Sequence, residues 1–138
     1  MFILIQFYIL NFQTDVAPID AEDDVYEVLP GGVRHFVRTA GDRYFRIPDP
    51  VSRMARLDEG LRDITVRLNH LDPPKQFTHG TRRERKSDGS GWRYALTSWK
   101  KFMKAAGIKV RDRVYYSFDE NDQVLSVDLV VPYVRLSH

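Results

Sequence analysis

The 138-residue chain has no cysteine, which rules out a disulfide framework and any thiolate-bound metal. Such a composition suits a reducing compartment. Histidine is scarce and scattered at positions 35, 70, 79 and 138, so neither an HExxH pair nor any other paired ligand spacing exists. There is no glycine-rich GxGxxG turn or P-loop to cradle a phosphate, and no serine in a nucleophile-elbow context. His79 beside Arg82 is the nearest thing to a general acid at a basic loop, and a lone histidine there is expected to be exposed or facing a ligand. The expectation is a protein that is not an enzyme and needs neither metal nor cofactor.

Long apolar runs are also missing. The longest, Met1–Phe12 (MFILIQFYILNF), falls short of the roughly 20 residues that span a bilayer, so no membrane partner is expected. It also lacks the cationic start and small-residue cleavage site of a secretory signal. Thr14–Asp24 is acidic and contains Pro18, which reads as a linker. Residues 1–30 are therefore expected to be a leader outside the core, and residues 31–136 a single domain. A hydrophobic content of 43% is enough for one core at this length.

Basic residues are absent from the first 30 positions, which hold six acids (Asp15, Asp20, Glu22, Asp23, Asp24 and Glu27). Residues 31–114 carry 20 of the 21 lysines and arginines against nine acids, a net of +11 that the formal total of +2 conceals. A basic body behind an acidic leader points to a polyanionic partner.

From Trp92 to Phe118 the pattern runs strand, helix, strand. Trp92, Tyr94 and Leu96 alternate with Arg93 and Ala95. Trp99, Phe102, Met103 and Ala106 then fall on one helical face, opposite Lys100, Lys101 and Lys104. Thr97 or Ser98 stands at the cap position and Gly107 at the stop. Val114, Tyr116 and Phe118 alternate again, and after the turn cluster Asp119–Asp122 so do Leu125, Val127 and Leu129, giving a closing hairpin. Both tryptophans lie on apolar periodicities and are expected in the core. Upstream, His35–Arg38, Tyr44–Ile47, Ile64–Leu68 and Gln76–Thr81 read as strands, and Asp49–Leu57 as a short helix burying Val51, Met54 and Leu57. The sequence suggests a small barrel-like sheet.

The segment YALTSWKKFMKAAGIKVRDRVYYSF resembles the signature of the plant B3 DNA-binding domain. The likeness continues more weakly through His35–Arg38, the Arg46-Ile47-Pro48 step and Ile64–Leu68. It departs from the family at Ser98 and Arg111, where glycine is usual, and at Asp49, where lysine is. The resemblance implies a mainly β, seven-stranded open pseudobarrel with two short helices. It also implies a sequence-specific double-stranded DNA-binding domain of a plant transcription factor, acting in the nucleus.

Two loops would grip one major groove. Their positions and the roles of the residues on them are what the resemblance implies. The first, Arg38–Arg43, supplies Thr39 and Arg43 to base edges. The second, Arg82–Gly91, supplies Arg83, Arg85 and Ser87, because an arginine fork pairs bidentately with guanine. Arg38, Arg82, Lys86 and Arg93 are assigned to phosphates. Arg82–Lys86 also matches a weak nuclear import signal. Other transcription factors or a second copy of the chain are further candidate partners. Two rivals remain open: a degenerate B3-like domain working through protein contacts without strong DNA affinity, and a sequence-tolerant binder of single strands.

Overall fold

The computed structural model describes residues 25–28, 32 and 34–134, so the expectations for residues 1–24 and for the last residues of the domain lie outside the described residues. The elements in order are β1 (Val25–Val28), β2 (Arg34–Thr39), β3 (Phe45–Ile47), α1 (Asp49–Met54), β4 (Ile64–Leu68), β5 (Lys75–His79), β6 (Thr81–Arg85), β7 (Trp92–Leu96), α2 (Trp99–Ala106), β8 (Arg113–Asp119) and β9 (Val124–Val131). The fold is mainly β, as expected, with two short helices.

The strands form a six-stranded sheet, β1-β2-β8-β9-β4-β5, and a three-stranded sheet, β3-β7-β6. All neighbours pair antiparallel except β4 and β9, which run parallel. Two strands exceed the expected seven. Val25–Val28 joins the sheet edge beside β2, so the sheet takes up four residues of the stretch assigned to the leader. Thr81–Arg85 was expected to be mostly loop, but pairs with β7 from Thr81↔Leu96 to Arg85↔Trp92. A charged run forms a strand here because β7 completes its backbone hydrogen bonds on one side only; charge is well tolerated on such an edge.

Alternation along β2, β3, β7 and β8 turns Phe36, Phe45, Tyr94, Leu96, Val114 and Tyr116 into one core. The helix α2 bridges the sheets. Its Trp99 stacks on Phe45 of the small sheet at 5.3 Å, and its Phe102 meets Phe77 of the large sheet edge-on at 6.0 Å. The expected apolar stripe is borne out, with Trp99, Phe102, Met103 and Ala106 all buried. Two histidines fasten the helix. His79 Nε2 donates to the Thr97 carbonyl at 2.5 Å, and His70 Nε2 to the Ala106 carbonyl at 2.6 Å. His79, expected to be exposed or facing a ligand, is thus a half-buried anchor with its ring against Phe102.

The start of α2 departs from the expected cap. Ser98 occupies the N-cap position in the left-handed region at φ 49° and makes no side-chain cap bond. Arg111, ahead of β8, is also left-handed at φ 80°. Both are positions where glycine would be unstrained and a Cβ atom is not. Gly107 ends the helix at φ 67°, as its position predicts.

The closing hairpin contains one irregularity. Tyr115 pairs with Leu129 but Tyr116 with Val127, so Asp128 is an extra residue in a β-bulge. The bulge breaks the period of two, leaving Leu129 exposed while Leu125 and Val127 stay buried. It also aims the Asp128 carboxylate at three donors: His35 Nε2 at 2.8 Å, Asn69 Nδ2 at 2.7 Å and Ser117 Oγ at 2.6 Å.

Candidate nucleic-acid interface

The basic residues of the two sheets converge where β3 turns into α1. On the outward face of the small sheet, Arg46 of β3 and Arg82 of β6 flank Ala95 of β7, and Glu84 pairs with Arg93. Alanine is small enough for Arg46 Nε to donate across it to Glu84 Oε1 at 2.9 Å, while Arg82 approaches the other carboxylate oxygen at 3.6 Å. The Arg46 guanidinium also lies over Tyr44, 4.5 Å from the ring centre. From the large sheet, Arg38 reaches the same region beside Tyr116. Burial pushes the Tyr116 hydroxyl far above its usual range, with the Arg38 charge opposing the shift, so this phenol stays protonated.

These residues surround an open cleft of about 270 Å³. Its walls carry Arg38, Arg46, Lys86 and Arg93 against the carboxylates Asp49 and Asp88. Lys86 Nζ reaches Asp49 Oδ2 at 3.2 Å across the cleft mouth; this pair is exposed and contributes little to stability. The β6–β7 hairpin closes one side, with Lys86 N–H donating to the Gly91 carbonyl at 2.8 Å. At its tip the Asp88 carboxylate accepts from the Ser90 hydroxyl at 2.7 Å and the Ser90 amide at 2.9 Å. Those bonds, the hydroxyl first, hold Asp88 below the usual aspartate range. A concave site lined by four cations, with carboxylates on Arg46 and Lys86 among their contacts, suits an extended anion better than a compact neutral ligand.

Of the four expected phosphate contacts, Arg38, Lys86 and Arg93 line this cleft. The fourth, Arg82, lies outside its lining on the exposed edge strand. The base-readout residues divide differently. Arg83 and Arg85 were expected on a loop but sit on β6, and Ser87 follows in the exposed hairpin turn. Thr39 is on β2 opposite Arg113, and Arg43 is exposed between β2 and β3; neither lines the cleft. The first arm is accordingly short, Ala40–Tyr44, because β2 runs on through Arg38 and Thr39.

Trp92 is not a core residue. It is 40% exposed, whereas Trp99 is 4% exposed. Its strand face is the inward one shared with Tyr94 and Leu96, but it lies past the end of the β3–β7 pairing, which stops at Tyr94 opposite Ile47. Beyond that point the indole is covered by arginine: Arg83 Cζ lies 4.3 Å and Arg85 Cζ 5.2 Å from the ring centre. Asp88, which also lines the cleft, carried no signal in the sequence beyond its place in a turn, whereas Arg46 alternates with bulky residues as Arg34, Arg38 and Arg43 do and was expected on a phosphate-tracking sheet edge. Arg46 alternates with buried Phe45 and Ile47, which turns it outward as that pattern predicts.

Among the described residues there is no group of histidines and carboxylates able to hold a metal ion, and no helix long and apolar enough to cross a membrane. No family model matches the chain, and no curated protein or solved structure matches it.

Proposed function

We propose that this chain is a double-stranded DNA-binding domain of the plant B3 class, an open β pseudobarrel acting in the nucleus as part of a transcription factor. The observation that carries the reading is the cleft in which Arg38, Arg46, Lys86 and Arg93 meet from both sheets and the β6–β7 hairpin. Phosphates would follow this basic concavity, and the exposed Arg83 and Arg85 beside it would read base edges in the major groove. The barrel description is supported by two sheets sharing one core, with α2 packed on aromatic rings of both. No metal, cofactor or catalytic group is invoked.

A second reading, a B3-like domain with weak DNA affinity that works through protein contacts, is favoured by the carboxylates Asp49, Glu84 and Asp88 among the cations. Fluorescence anisotropy of the full chain against random duplex, single strand and RNA over a salt series separates the readings. The expected result is duplex preference with a log–log salt slope of about −0.9 for each phosphate neutralised. Absence of duplex affinity at low salt refutes the DNA reading, and a preference for single strands replaces it.

A further inference from the structure

The β6–β7 hairpin holds an exposed tryptophan for which the cleft provides no role. Trp92 faces Arg85 directly across the ladder, and Arg83 is two residues away on the same face of β6. Both guanidinium groups lie within 5.2 Å of the indole centre. Stacking occupies the flat face of a guanidinium and leaves its in-plane N–H donors directed outward. Arg46 and Arg82, by contrast, are directed to Glu84 on the opposite face. Among the described residues, Arg83 and Arg85 form no ion pair that would turn their forks inward.

We propose that Trp92 is a positioning residue that sets sequence discrimination, holding Arg83 and Arg85 as a pre-ordered pair of forks for guanine O6 and N7; this rests on the DNA reading above. Two free arginines would each lose rotamer entropy on docking, and stacking on one indole removes much of that loss before the ligand arrives. A bidentate base contact demands a fixed plane, whereas attraction to a phosphate tolerates many geometries. Trp92 therefore acts on the ratio between preferred and random sites and leaves general duplex affinity alone.

The test uses the full chain as wild type, Trp92→Phe and Trp92→Leu. Anisotropy is measured at one salt concentration on duplexes selected by the wild type from a random pool and on random duplex. The arginine Nε–Hε NMR signals of the free proteins are recorded in parallel. Trp92→Leu is expected to move the Arg83 and Arg85 signals but not those of Arg46 and Arg93. It should lower the selected-to-random affinity ratio about tenfold, at unchanged random affinity, with Trp92→Phe retaining the wild-type values. An unchanged ratio, or equal losses on both duplexes, overturns the role of Trp92 and leaves the DNA reading standing. A wild type that binds no duplex overturns both.

Discussion

The indole Nε1–H of Trp99 donates to the Gly41 carbonyl at 2.9 Å, tying the first residue of α2 to the turn between β2 and β3. One side chain thus joins the helix to the loop that leads from the large sheet into the small one. Trp99→Ala is expected to cost about 3 to 5 kcal/mol, since it empties a core site between Phe45 and Phe102. Trp99→Phe keeps most of the stacking but leaves the half-buried Gly41 carbonyl without this donor, and should cost less. Urea unfolding followed by far-UV circular dichroism gives both values.

Ser98 and Arg111 should be replaceable by glycine with a gain. Each holds a left-handed backbone, which costs a residue bearing Cβ about 1 to 2 kcal/mol, while glycine returns part of that as unfolded-state entropy. Ser98→Gly and Arg111→Gly are each expected to stabilise by about 0.5 to 1 kcal/mol. Thermal midpoints that fall in both variants would show that the side chains contribute more than the backbone strain removes.

Gly80 precedes β6 and faces Thr97. A Cβ placed on Gly80 would lie 2.8 Å from Thr97 Oγ1, which itself donates to the Gly80 carbonyl at 3.2 Å. Gly80→Ala is expected to destabilise by about 1 to 3 kcal/mol through overpacking. Adding Thr97→Ala removes the obstructing atom, so the double variant should be more stable than the two single losses added together. Additive losses in a denaturation cycle would contradict the close approach.

Much of the core was legible because its signals are local. The Trp99, Phe102, Met103 and Ala106 stripe requires only the helical period, and the Ile64–Leu68 strand only alternation and β-branching. The site was legible in part. Arg38, Lys86 and Arg93 could be singled out by charge, but their convergence with Arg46 depends on pairing between strands far apart in sequence. Trp92 illustrates the limit: alternation reveals its face, but not that it lies past the end of the β3–β7 pairing, where the core stops. Likewise the bulge at Asp128 arises from the mismatch of two strands, which neither strand carries alone.

The cleft and the hairpin arginines should respond differently to substitution. Lys86→Ala or Arg93→Ala is expected to weaken selected and random duplexes alike and to reduce the salt slope by about 0.9. Arg85→Ala should weaken only the selected site, by about 1 to 3 kcal/mol. Equal losses on both duplexes would reassign Arg85 to a phosphate.

Asp88 supplies a pH-dependent readout of the hairpin tip. Its folded pKa is depressed by Ser90, so the stabilising hydrogen bonds are present above the usual aspartate range and are lost as pH falls through the lower folded value. A carboxyl-carbon NMR titration should place Asp88 below an ordinary aspartate, and Ser90→Ala should return it upward. An unshifted titration in the wild type would mean the tip is open in solution.

The central place of β9, the last of the described strands, bears on the order of assembly. β9 lies between β8 and β4 in the large sheet, and its Leu125 and Val127 are fully buried. Until β9 has emerged from the ribosome, β8 and β4 have no strand between them in the large sheet, and the two halves are held only through α2 and the shared core. The nascent chain must therefore keep two unfinished sheet edges from pairing with neighbours until β9 is made. Stop codons ahead of Val124 should thus yield insoluble protein in place of a smaller folded domain.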